Sequence, residues 1–326
     1  MTHNQHPINS GFTAFSTAED VVAGLDLKGR NVIVSGGHSG LGLETTRVLA
    51  KAGASVTVAS RDPERAARAM AGIARVEVSA LDLIDPKSID AFVKRWIESG
   101  RPLHILVNNA ASIAPKEVVR DARGYELQFA TSHLGPFQLT RGLLPALRAA
   151  HGARVVNVSS GAQRFGQIRW DDPNFETGYD PRQAYAQAKK ANVLFAVELD
   201  RRWGKEGIRG YAVHPGVVVG TALNGAAGPE ALRAMGLIDQ AGNPIIDPKV
   251  GKKTIPQGAS TIVFAATSPL LAERGGVYLK DNDISVLDDS QRPLSADSIP
   301  SEAISHSIDP EAAQRLWTLS ERLLPT

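Results

Sequence analysis

The chain predicts an α/β fold, with one parallel sheet and helices on both of its faces. Three observations carry this. Apolar, β-branched runs alternate with Ala-, Leu- and Arg-rich stretches, the pattern of repeated β–α units. The runs at 31–35, 104–108 and 154–159 are almost continuously apolar, as strands buried on both faces are. The first run passes directly into Ser35-Gly36-Gly37-His38-Ser39-Gly40-Leu41-Gly42, a glycine-rich turn that opens a helix.

Taken in order, Ser16 and Glu19 have the spacing of a capping box, so a short helix is expected near the N-terminus. Strands are placed at 31–35, 55–60, 76–80, 104–108, 154–159, 210–214 and 277–279. Helices fall between them at 43–51, 64–71, 87–98, 128–149, 183–203 and 257–267. Asp180-Pro181 supplies a cap and a first-turn proline for 183–203, and Asp309-Pro310-Glu311 does the same for a last helix reaching about residue 323. Segment 222–256 is rich in Gly, Ala and Pro, with scattered Leu and Ile. It follows the sixth strand, and a substrate lid is expected there. Residues 280–308 are polar and acidic and fit no element of the alternation. The expected division is an N-terminal extension over 1–26, a single domain over 27–282 and a C-terminal extension over 283–326.

Composition narrows the function classes. Of 326 residues, 43% are apolar, and the net charge of +2 arises from mixed signs. A large core is therefore possible, and no basic block points to nucleic acid. The chain has no cysteine, which removes disulfides, thiolate metal sites and a cysteine nucleophile. Its eight histidines show no metal-ligand spacing, so no metal is expected. No run reaches the roughly 18 apolar residues of a membrane span. The polar start lacks a secretory signal, and a cytoplasmic protein is expected.

Gly36, Gly40 and Gly42 let the backbone turn tightly and approach a pyrophosphate at the helix N-terminus. The second strand ends Ala59-Ser60-Arg61. A carboxylate normally reads the ribose 2′-hydroxyl at this place. Arg61, with Arg65 four residues on, suits a 2′-phosphate by charge and by bidentate geometry. NADP(H) is therefore expected ahead of NAD(H), provided that Asp62 serves to cap the next helix.

Tyr185 and Lys189, four apart on one helix, share a face. An ammonium about 4 Å from a phenol interacts by roughly 4 kcal/mol at an effective dielectric near ~20. At ~1.36 kcal/mol per unit, that moves the phenol pKa from ~10 toward ~7. Such a tyrosine exchanges protons at neutral pH. A serine closing the fifth strand, Ser159 or Ser160, can polarise a carbonyl beside it. The combination points to hydride transfer at a carbonyl carbon.

Together these residues resemble the short-chain dehydrogenase/reductase family over about 27–282. The turn is similar to its T-G-x3-G-x-G motif, with Ser35 for Thr, which implies cofactor contacts at Ser35, Gly36, Ser39, Gly40, Leu41 and Gly42. Asp82 and Leu83 match its adenine-contact position. Asn108-Asn109-Ala110-Ala111 resembles its N-N-A-G, implying contacts at Asn108 and Ala110. His214-Pro215-Gly216-Val217-Val218 resembles the segment bordering the nicotinamide, implying Pro215, Gly216 and Val218. Ser160, second of its pair, matches the carbonyl-polarising serine, and Tyr185/Lys189 match Y-x3-K. The long interval from Ser160 to Tyr185, and the run 191–195, are most similar to the retinol-dehydrogenase-like branch.

What the resemblance implies is a doubly wound Rossmann-type sheet of about seven strands in one domain. Tyr185 is implied as the acid/base. Lys189 is implied to bind the cofactor ribose and lower the Tyr185 pKa. The substrate is an alcohol/ketone pair of a small apolar molecule. Helices like 128–149 and 183–203 carry the family's dimer and tetramer contacts, so a homo-oligomer is implied. His133 and His214 are expected to be structural. Trp96, Trp203 and Trp317 are expected in the core, and Arg164, Phe165 and Trp170 near the pocket.

One departure stands out. The family has Asn, holding a proton-relay water, where this chain has Ser132. Pro136 lacks the N–H that would bond the Ser132 carbonyl, so either the relay passes through that carbonyl or Pro136 merely kinks a packed helix. Two other readings compete with the reductase. One is a dinucleotide sensor or scaffold that has lost turnover. The other is a nucleotide-sugar epimerase or dehydratase, which carries a different glycine spacing.

Overall fold

The computed structural model describes residues 4–221, 223 and 228–324. The β-branched runs form the strands expected of them, with only their ends displaced. These are β1 (Asn31–Ser35), β2 (Ser55–Ser60), β3 (Val76–Ala80), β4 (Ile105–Asn108), β5 (Ala153–Val158), β6 (Ile208–His214) and β7 (Val277–Lys280). A two-residue β8 (Asp283–Ile284) adds an antiparallel edge, so the sheet has eight strands where seven were expected. Their order is β3-β2-β1-β4-β5-β6-β7-β8. The pairs from β3 through β7 are parallel. The chain leaves β1 in one direction and β4 in the other, and a doubly wound sheet binds ligands at such a reversal.

Alternate residues of each central strand feed opposite layers. Val34 packs with Val48, Ile262 and Phe264 from helices Gly40–Lys51 and Ile255–Thr267. Its neighbour Ile33 packs with Phe92, Phe137 and Phe195 on the other face. Each such side chain contributes about 1.5–3 kcal/mol of burial. Helix starts use one device repeatedly. Asp62, Asp85, Asp180 and Asp309 each cap a helix whose first residue is proline. Asp62 thus caps its helix, as the NADP(H) reading required.

Three expectations change. The N-terminal capping box is Thr17 with Asp20, not Ser16 with Glu19. The Asp20 carboxylate accepts from the Thr17 N–H at 2.8 Å, while Glu19 turns out to Arg47 and Lys51. The helix expected over 128–149 is broken into Leu127–Phe129, a π turn at Ala130–Leu134, Gly135–Gly142 and Leu144–Ala149. Pro136 and Pro145 cannot donate, and a wider turn accommodates the first of them. Gly135 also sits so close to the preceding loop that a Cβ there would lie 2.2 Å from the Leu83 carbonyl oxygen.

The third change is residues 285–308, which form an ordered strap. Leu287 pairs with Ala303. The Arg164 guanidinium donates to the carbonyls of Asp288, Ser290 and Glu302. Helix Pro310–Leu323 then packs on helix Pro181–Trp203, with Trp317 against Phe137, Phe195 and Trp203 at centroid distances of 4.8, 5.9 and 5.3 Å. At the other end of the chain, the Gln5 carboxamide bonds the Tyr278 N–H and the carbonyls of Tyr278 and Ser285, all at 2.8–2.9 Å. It thereby completes the hydrogen bonds of the β7 edge. Among the described residues no helix is long and apolar enough to cross a membrane.

Candidate active site

The sequence-derived residues collect at the C-terminal ends of β1 to β6. The turn after β1 leaves no room for side chains. Gly36 and Gly40 have φ of 65° and 51°, and a Cβ on Gly42 would lie 2.4 Å from the Gly36 carbonyl oxygen. Ser35 Oγ is buried and accepts from the Asn109 and Ala110 N–H groups at 3.0 and 3.1 Å. Ser39 is the N-cap of helix Gly40–Lys51 and makes no side-chain cap bond, so the side chain leaves the first-turn N–H groups open. A cradle that a Cβ would fill, beside open helix N–H groups, fits a dinucleotide pyrophosphate.

Asn109, not Asn108, reaches this turn, donating to the Ser35 carbonyl at 3.0 Å. The Asn108 side chain is buried within the sheet, donating to Asn157 Oδ1 at 2.9 Å. Asp82 and Leu83 follow β3, where the Asp82 carboxylate accepts from the Ile84 N–H. Arg61 is exposed beyond β2, and Ser60 turns inward onto Asp62. His38 stands near this patch. Its pKa falls through burial and then through the Arg65 charge. Pro215 and Gly216 close β6. Gly216 has φ 86°, and a Cβ there would meet the Gly251 carbonyl oxygen at 2.8 Å.

The two candidate serines separate cleanly. Ser159 is buried and donates to the Lys189 carbonyl at 2.7 Å, so it fastens β5 to the helix. Ser160 is half-buried, its hydroxyl accepts from the Ala162 N–H at 3.2 Å, and it lies near enough to the Tyr185 phenol to favour the ionised form. Lys189 is buried, donates to the Val158 carbonyl at 3.1 Å and lies 5.5 Å from the centre of the Tyr185 ring. Burial lowers its pKa to about 8. The phenol does not show the expected downward shift. Burial raises the Tyr185 pKa and Ser160 only partly opposes this, because the ammonium is directed to the Val158 carbonyl. Asn192 donates to that same carbonyl at 3.0 Å.

Ser132 is buried in the π turn, and among the described residues its hydroxyl has no hydrogen-bond partner. The Gly135 N–H goes back to the Ala130 carbonyl rather than that of Thr131, and Pro136 has none to give Ser132. His133 is structural. It is buried among Phe129, Phe137 and Phe195, bonds Ser320 at 2.7 Å, and burial lowers its pKa to about 3. His214 is likewise buried with a pKa of about 3, chiefly from burial. Its Nδ1 accepts from the Gly161 N–H at 3.0 Å and so fixes the turn that carries Ser160. Sequence spacing gave no sign of this role.

The Arg164 guanidinium clamps the strap, and Trp170 stacks under Arg315 of the last helix. Phe165 is half exposed. Of the expected lid, residues 222 and 224–227 lie outside the described residues. The remainder contains helix Gly228–Ala234 and packs Leu232, Leu237 and Ile238 on Val217 and Val219. Among the described residues no cluster of three His, Cys, Asp or Glu could hold a metal.

A Rossmann sheet with a glycine cradle at its reversal, and a serine, tyrosine and lysine beside it, defines a nicotinamide-dinucleotide oxidoreductase. The chain belongs to the short chain dehydrogenase family, whose model matches residues 30–231. It is 43% identical over 299 residues to a Streptomyces lividans protein named "Probable oxidoreductase", covering 90% of this chain and 97% of that one. It is 36% identical over 264 residues to retinol dehydrogenase 12 of Mus musculus, covering 79% of each. A solved structure from Mycobacterium Paratuberculosis superposes with a TM-score of 0.70 at 31% identity, over 94% of this chain and 97% of that one. The chain is an oxidoreductase acting on alcohol/carbonyl pairs, with retinol-dehydrogenase-like relatives.

Proposed function

We propose that the protein is an NADP(H)-dependent reductase or dehydrogenase of an apolar small molecule, with Tyr185 as its acid/base. The observation that carries this is the Lys189 ammonium 5.5 Å from the centre of the Tyr185 ring on one helix, with Ser160 at the end of β5 beside the phenol. The glycine cradle at 35–42, Asp82, Leu83, Ala110 and the Pro215–Val218 segment would hold the dinucleotide, and Arg61 its 2′-phosphate. Bound there, the nicotinamide supplies or accepts the hydride. Tyr185 gives its proton to the carbonyl oxygen in reduction and removes it in oxidation. Ser160 donates to the same oxygen and stabilises the developing charge. Lys189, once its ammonium turns from the Val158 carbonyl toward the phenol, favours the tyrosinate.

Ile113, Phe165, Met235, Ile246 and Leu294 are exposed, from 43 to 59%, on the loops after β4, β5 and β6 and on the strap. Exposed apolar groups from separate loops favour an apolar substrate. Ser132 acts through its carbonyl, which Pro136 leaves free to hold a water that returns protons to Lys189.

Fluorescence titration with NADPH and NADH, followed by reduction of aromatic, steroidal and aliphatic ketones, tests this reading. NADPH should bind more tightly, and Tyr185→Phe should retain binding while losing about 10²–10⁴-fold in kcat. Tighter NADH binding would remove the role of Arg61. Binding without turnover on any ketone would leave a dinucleotide sensor. Ser132→Asn should change kcat less than about tenfold, since the relay does not need that side chain. A rise beyond this would show that the present relay is defective.

A further inference from the structure

The opposite end of the sheet carries a second concave site. A cavity of about 260 Å³ opens between the starts of β1, β4 and β5 and the end of helix Ile255–Thr267. Its charged and polar lining is Arg30, His104, Arg154, Asp26 and Thr267. Arg154 is half-buried and donates to one acceptor, the Ala265 carbonyl, at 3.1 Å. This bond answers the electronegative end of the helix and leaves the other guanidinium donors open. Arg164, by contrast, spends its guanidinium on three carbonyls. Arg30 is exposed, and its guanidinium makes no hydrogen bond or ion pair among the described residues.

The third donor is an imidazole. His104 Nδ1 accepts from the Asn31 N–H at 3.1 Å, so the proton is on Nε2. Burial, and then the Arg30 charge, lower the His104 pKa. Burial also pulls down the Arg154 pKa, Tyr211 partly opposes this, and Arg30 adds a smaller downward pull. Acceptors are scarce. The Thr267 hydroxyl donates to the Val263 carbonyl at 2.7 Å, and Asp26 serves the Lys28 N–H and ammonium at 3.0 and 3.9 Å.

We propose that this cavity binds a phosphate group between Arg30 and Arg154, with His104 as a third donor. Two forked guanidiniums match the lone pairs of a tetrahedral oxyanion, and the one carboxylate of the lining, Asp26, is engaged by Lys28. The source is free phosphate or a phosphomonoester, since the cavity opens to solvent and exceeds the volume of the oxyanion alone. The site lies at the far end of the strands from Tyr185 and stands independently of the reaction assigned there.

The test is isothermal titration of the full chain at fixed ionic strength with inorganic phosphate and with phenyl phosphate. It is done in an Arg61→Ala background, which removes the exposed arginine at the dinucleotide end. Saturable binding is expected, with affinity falling at least tenfold on adding Arg30→Ala or Arg154→Met. The His104 imidazole resonance should shift with the same midpoint. Tighter phenyl phosphate binding would identify an ester, and equal or weaker binding the free ion. No saturable binding, or binding unchanged by Arg30→Ala, overturns the proposal. Arg30 is exposed, so that variant decides the matter even where Arg154→Met fails to fold.

Discussion

The strand ends that form the dinucleotide cradle and the C-terminal segment 285–323 that walls the site are held in opposite ways. The cradle is built from close backbone approaches between near neighbours. A Cβ on Gly42 would meet Gly36, and one on Gly37 would lie 2.7 Å from Thr46 Oγ1. The strap is built from side chains that bond carbonyls more than a hundred residues away, as Arg164 does, and from the burial of Trp317. Local steric demand fixes residue type, so the cradle carries a motif. Long-range bonds to carbonyls accept any residue at the receiving end, so the strap carries none.

The final helix also bears on assembly. Helix Pro181–Trp203, one of the two that the family resemblance ties to subunit contacts, carries Trp317 and Leu316 of the same chain. Sedimentation of the full chain tests the oligomer the resemblance implies. The largest effect that can break the contrast is Trp317→Ala, which should cost about 3–5 kcal/mol. Denaturant unfolding with the substitution should show that loss, and sedimentation should show self-association as Phe137 and Phe195 become uncovered. A neutral result would mean that the helix is an ornament rather than part of the core.

Gly42→Ala should act at the other pole. Overpacking of about 1–3 kcal/mol at the cradle corresponds to roughly 5–150-fold weaker NADPH binding. Global stability should change less than with Trp317→Ala. Equal losses of binding and stability would erase the distinction between a local site and a non-local wall.

The smallest effect is a pH dependence of the strap. Glu302 is drawn down to about 2, where burial opposes the shift but the Lys280 hydrogen bond at 2.9 Å prevails. Its folded pKa lies below the unfolded value of ~4.3. Its contribution, on the order of 1–2 kcal/mol, is therefore present above that value and lost as pH falls toward about 2. Glu302→Gln should flatten stability against pH in that window and leave it unchanged in slope near neutrality. An unchanged acid slope would assign the acid sensitivity to other carboxylates.

Most of the fold and of the site was legible because its signals are local. Continuous β-branched runs can only be doubly buried strands, Asp-Pro pairs mark helix starts, and Tyr185 and Lys189 share a face by spacing alone. The sequence by itself therefore determined the parallel sheet and the glycine-rich turn, and it put Tyr185 and Lys189 on one helix. Tertiary structure decided what depends on partners distant in the chain. It separated Ser159 from Ser160 by giving one of them the Lys189 carbonyl, and it sent Asn109 rather than Asn108 to the turn. It made His214 the acceptor that holds Gly161, directed the Lys189 ammonium to Val158, and folded residues 285–323 against the Arg164 turn and helix Pro181–Trp203. In each case several positions of suitable chemistry existed, and only packing in three dimensions chose which polar group met which partner.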